Sequence, residues 1–74
     1  LTQAGRADDA EKQFLEAIRI DDSYAEAHYN LGLLYLERGD IDAARRQAER
    51  AYALGFPLPG LRRRLERYGS PVNP

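Results

Sequence analysis

His28 is the only histidine in this 74-residue chain, and histidine is the side chain most often used as a general base. General-base catalysis would need a nucleophile beside it, and a metal site would need further ligands. Cysteine is absent, so this chain has no thiolate nucleophile, zinc–thiolate centre or disulfide, and its redox compartment stays open. The paired carboxylates Asp8-Asp9 and Asp21-Asp22 stand where helices begin or turns close, places that suit carboxylates near free backbone amides. Neither pair sits in a calcium-loop pattern, and no glycine-rich phosphate loop exists. Arg62-Arg63-Arg64 with Arg67 could meet phosphate or an acidic partner. Adjacent residues point around a helix in different directions, Glu66 dilutes the run, and the acidic first half would repel a nucleic-acid backbone. These residues therefore predict no enzyme, no cofactor, no metal site and no nucleic-acid partner. The three- and four-residue steps from His28 to Leu31 and Tyr35 make it a residue at the edge of a core.

The elements that must position these groups read as about four helices joined by short turns. Gly5 followed by Arg6-Ala7-Asp8 predicts a helix stop and restart, with Leu1 to Ala4 the last turn of an earlier helix and Asp8 with Glu11 a variant capping box. The next helix runs to about Ile20 on a stripe of Ala10, Phe14, Ala17 and Ile18. Ser23-Tyr24-Ala25-Glu26 predicts a second capping box, opening a helix to about Arg38. That helix carries one stripe of Ala27, Leu31, Leu34 and Tyr35 and another of Tyr29, Leu33 and Leu36, so it must face neighbours on more than one side. Asp42 is the expected N-cap of a third helix reaching about Leu54. Gly55-Phe56-Pro57-Leu58-Pro59-Gly60 stops it, and a short helix from Leu61 to about Tyr68 follows, with Leu61, Leu65 and Tyr68 on one face.

The chain also repeats itself. Gly5, Asp8, Ala10, Gln13 and Ala17 recur in the same order and spacing as Gly39, Asp42, Ala44, Gln47 and Ala51. A period of about 34 residues marks stacked helical hairpins, each unable to bury its apolar face alone. Residues 1–37 hold three basic and eight acidic groups, a balance of −5, whereas residues 38–74 hold eight and four, a balance of +4. Such poles suit either contact between copies or two independently solvated faces. No apolar run is long enough to span a membrane, so no direct membrane insertion is expected. Ten arginines against one lysine suggest an arginine-preferring, bacterial genome. The absence of methionine, Leu1 included, suggests a piece of a longer protein.

His28-x2-Leu31-Gly32-x2-Tyr35, followed by Ala44-x3-Ala48, Ala51 and Pro57, resembles the tetratricopeptide repeat. The family has tryptophan where His28 stands and a large aromatic where Ala48 stands, and Pro57 arrives one residue late. The resemblance implies an all-α fold of antiparallel hairpins stacked as a short superhelix. Residues 1–22 would be the second half of a truncated repeat, 23–58 a complete repeat, 59–69 a C-terminal cap helix and 70–74 a flexible tail. Gly32 would let a neighbouring helix pack close enough to offset its helix-propensity cost of ~1 kcal/mol.

The first helix of each family hairpin lines a concave face. Carried onto this chain, the partner-binding residues would be Glu26, Tyr29, Asn30, Leu33, Leu36 and Glu37, suited to an extended or helical peptide. Asn30 has no cation beside it on this helix, which argues against a clamp for a terminal carboxylate. The expected function is a protein–protein interaction scaffold with a protein or peptide partner. Alternatives are self-association as a homo-oligomer, in which Leu33 and Leu36 pack on another copy or on a missing neighbouring helix, and a regulatory tail of a larger enzyme.

Overall fold

A computed structural model describes residues 2–69 and 72, with the side chains of residues 5–69 and 72. Four helices follow in order: α1 (Thr2–Ile20), α2 (Ala25–Glu37), α3 (Ile41–Ala53) and α4 (Gly60–Arg67). Helix α2 is the hub, packed against the other three, whereas among the described residues α1 packs only against α2. The twofold apolar patterning of α2 explains this arrangement. Ala27, His28, Tyr29, Leu31, Gly32 and Leu36 are all buried, so more than one side of the helix is covered.

The α2–α3 seam is built from small residues. Ala44, Ala48 and Ala51 are fully buried and present little more than backbone to α2. A Cβ added at Gly32 would lie 3.4 Å from the Ala44 carbonyl oxygen and 2.6 Å from Cδ2 of Leu61. Gly32 thus receives α3 and α4 together, and the packing reason expected for it is present.

The α2–α3 turn closes through Gly39 at φ +84°, with the Asp40 N–H donating to Tyr35 O at 2.9 Å. The end of α3 repeats this device with Gly55 at φ +89° and the Phe56 N–H donating to Ala51 O at 3.1 Å. A side chain at either glycine would meet the left-handed backbone penalty.

Three expected helix starts differ in the structure. Helix α1 is continuous from Thr2 to Ile20, so Gly5 does not stop a helix and Asp8 caps none. The register of the repeat explains why: Arg6 occupies the place of Asp40, whose carboxylate accepts the Ala43 N–H at 3.2 Å and caps α3. Arginine has no acceptor to offer free amides. The cap of α3 is therefore Asp40, not Asp42. Ser23 does not cap α2. Its hydroxyl and backbone N–H both donate to Asp21 Oδ1, at 2.6 and 3.0 Å, which diverts them into a local turn and leaves Tyr24 as an N-cap without a side-chain bond.

At the C-terminal end, Leu61 and Leu65 are fully buried, but Tyr68 is 64% exposed and leaves the face expected for it. Of the tail expected over 70–74, residues 70, 71, 73 and 74 lie outside the described residues, as does Leu1. Val72 is buried in the core cluster with Leu36, Leu61 and Leu65. No described helix is long and apolar enough to cross a membrane.

Candidate interaction face

Two polar clamps fix α2 in place. At its C-terminal end, Arg38 donates to Glu11 Oε1 and Asp8 Oδ1, both at 2.7 Å, and Tyr35 donates its hydroxyl to Glu11 Oε2 at 2.9 Å. The carboxylates expected to start a helix instead bind α1 to α2. The Arg38 hydrogen bond, then that from Tyr35, holds Glu11 below the usual carboxylate range. Burial first, and the Glu11 hydrogen bond second, pushes the Tyr35 phenol up.

At the N-terminal end, His28 is buried and engaged through both ring nitrogens. Nε2 donates to the Asp22 carbonyl at 2.8 Å, and Nδ1 pairs with the Gln47 side-chain amide at 2.8 Å. Arg50 donates to the Asp22 carboxylate at 2.8 Å from α3. A histidine in the tryptophan position of the repeat therefore ties the α1–α2 turn, α2 and α3 into one unit. Both nitrogens serve structure, which leaves neither directed at a substrate. Among the described residues no cavity forms and no three metal-ligating side chains gather.

The six residues expected on the binding face separate into two levels. Tyr29 and Leu36 are core residues, 8% and 6% exposed. The Tyr29 ring stacks on Phe56 at 4.3 Å between centroids and meets Tyr52 edge-on at 6.4 Å. Asn30 and Leu33 are partly exposed, and Leu33 packs on the core cluster from its border. Glu26 and Glu37 are exposed in the first and last turns of α2, Glu26 accepting the Tyr24 hydroxyl at 3.0 Å. Leu33 and Leu36 thus pack on this chain's own core, a third arrangement beside the open groove and the packing on another helix or copy.

Helix α4 packs beside α2 and α3, in a register that the sequence reading did not draw out. Leu61 and Leu65 stand one repeat beyond Ala27 and Leu31, and all four are buried at 0–2% exposure. The 34-residue spacing of buried apolar positions therefore extends into α4. Pro59 provides no side-chain cap for it. Two tyrosines do so from neighbouring helices: the Leu61 N–H donates to the Tyr29 hydroxyl at 3.3 Å, and the Arg62 N–H to the Tyr52 hydroxyl at 3.2 Å. The Tyr52 hydroxyl in turn donates a hydrogen bond to the Leu58 carbonyl at 2.8 Å, and the Arg62 guanidinium lies over its ring at 4.5 Å. Burial, more than any other influence, raises the Tyr52 phenol. The signal that could have revealed this is the spacing of Leu61 and Leu65 from Ala27 and Leu31.

Comparison with known proteins agrees with the helical-repeat fold. A family model described as TPR repeat matches residues 1–39, and one described as Tetratricopeptide repeat matches residues 25–55. The chain is similar to "TPR repeat-containing thioredoxin TTL4" of Arabidopsis thaliana, 50% identical over 46 residues that cover 62% of this chain and 7% of that protein. It is also similar to "Probable UDP-N-acetylglucosamine--peptide N-acetylglucosaminyltransferase SPINDLY" of Hordeum vulgare, 41% identical over 58 residues that cover 78% of this chain and 6% of that protein. The chain therefore spans less than a tenth of the length of these relatives. Both are plant proteins, which lends no support to the bacterial source suggested by the arginine content. No solved structure matches the chain.

Proposed function

Because the chain belongs to the tetratricopeptide-repeat family, we propose that it is a protein–protein interaction module whose partner segment lies along α2 beside α4. Repeats of this family generally mediate protein–protein contacts, and their hairpins are not themselves catalytic. The observation that carries the reading is the position of Leu33 and Asn30, partly exposed on a helix whose other sides are already packed against α1, α3 and α4. Leu33 offers an apolar anchor, and the Asn30 amide can donate to and accept from a partner's backbone. Glu26 and Glu37 bound this stretch, and buried Tyr29 and Leu36 hold it rigid from below. Rigid support reduces the ordering cost of binding.

Selection of peptides against the folded chain tests the reading. Selected peptides should lose binding to Leu33→Glu and retain it for a substitution on α3 such as Arg46→Glu. Equal binding to both variants contradicts it.

A second reading, self-association, draws on α1. Leu15 is 45% exposed and Ile20 is 73% exposed on a helix that, among the described residues, touches only α2. Light scattering that shows a strict monomer at high concentration would reject it. Where the module is joined to a catalytic domain, as the names of its relatives suggest for them, it would bring partners to that domain.

A further inference from the structure

We infer that the partner segment is acidic and is gripped by Arg63, Arg64 and Arg67 of α4; this rests on the α2-face reading above. The register carries the inference. Arg63, Arg64 and Arg67 stand one repeat beyond Tyr29, Asn30 and Leu33, and the shared burial of Leu61 with Ala27 and of Leu65 with Leu31 shows that this register holds in space. Where α2 presents the amide of Asn30 and the side chain of Leu33 above a buried Tyr29, α4 thus presents three exposed guanidinium groups.

These arginines hold no carboxylate among the described residues. Arg19, Arg38, Arg45 and Arg50 each pair with a carboxylate, and Arg62 covers the Tyr52 ring. Among the described residues, Arg63, Arg64 and Arg67 are exposed and make no ion pair. With Arg62 and Glu66 the helix carries four positive charges and one negative, a surplus of +3 in a chain whose net charge is −1. Planar guanidinium groups accept carboxylates in two-point contacts, and unpaired charges on one rigid helix raise the encounter rate of an oppositely charged segment.

A short acidic peptide fits better than nucleic acid. Eight carboxylates in residues 1–37 and Glu66 on α4 would oppose a long phosphate backbone, whereas a segment a few residues long can place its carboxylates on α4 and an apolar residue on Leu33. No terminal carboxylate is needed, because the cations contact side chains.

The test uses an N-acetylated, C-amidated peptide of alternating glutamates around a central leucine, its glutamine counterpart, and a thymidine oligonucleotide. At low salt the glutamate peptide should bind at least about tenfold more tightly than the glutamine peptide. That preference should shrink as salt rises and vanish in Arg63→Glu/Arg64→Glu/Arg67→Glu. The triple glutamine variant, with helicity checked by circular dichroism, guards against a folding artefact and should also lose the preference. Absence of a preference, its survival in both variants, or tighter binding of the oligonucleotide through the same arginines overturns the inference. Should both peptides bind equally and lose binding on Leu33→Ala, the acidic partner is refuted while the α2-face reading stands.

Discussion

The hydroxyl of Tyr29 on α2 accepts the backbone N–H of Leu61 on α4 at 3.3 Å, so a core side chain of one helix caps the next. Tyr29, expected on the binding face, thereby also orients α4 from within the core. Tyr29→Phe keeps the ring stack on Phe56 and removes only the acceptor. A lost cap costs about 1 kcal/mol. Hydrogen exchange should show faster exchange of the Leu61 amide, with α3 little changed.

Gly32 and Leu61 are coupled by their closeness. Alanine at position 32 gains about 1 kcal/mol of helix propensity but drives its Cβ to 2.6 Å from a leucine that is fully buried. Overpacking outweighs the gain, by about 1–3 kcal/mol before that offset. Gly32→Ala should therefore destabilise the native chain in denaturant titration. In a Leu61→Ala background the same change should cost less, with an interaction energy of about 1 kcal/mol or more. Additive effects would remove the steric account.

His28→Leu fills similar space but leaves the Asp22 carbonyl and the Gln47 amide without their partner. His28 is only 4% exposed, whereas Asp22 is exposed and its carbonyl also accepts from Arg50 at 3.5 Å, so the Gln47 amide bears most of the loss. The expected loss is about 1–3 kcal/mol, read from the denaturant midpoint. A neutral outcome would mean that the turn is held by Arg50 alone.

The Glu11 clamp makes a signed prediction for pH. Its carboxyl lies below the usual range because Arg38 and Tyr35 donate to it. A depressed carboxylate stabilises the fold above the unfolded-state value of about 4.3, and that contribution is lost as pH falls through the folded-state value. Stability should thus decline on acidification below about pH 4, and less steeply in Glu11→Gln. The Arg38–Glu11 pair is partly open to solvent, so high salt should reduce the difference.

The architecture was legible because its signals are local and repeated. The echo of the Gly5–Ala17 pattern in Gly39–Ala51, the Leu31-Gly32 pair and the alanine seam at 44, 48 and 51 each state a packing need that only stacked hairpins satisfy. Helix starts were less legible, since a cap is a competition between acceptors. Ser23 lost to Asp21, and Arg6 could not do what Asp40 does. The candidate site was half legible. The pattern of α2 identified Tyr29, Leu33 and Leu36 as one stripe, but how deeply each is buried depends on where α4 docks. That is decided by Leu61 meeting Gly32, two residues separated in the chain by the whole of α3.

The most direct test of the interaction face is amide chemical-shift mapping of the labelled chain with a display-selected peptide. Perturbations clustered at Asn30, Leu33 and Glu37 of α2 and along α4, absent in Leu33→Glu, are the predicted result. Perturbations confined to α1 or to the outer side of α3, with α2 and α4 silent, would contradict the account.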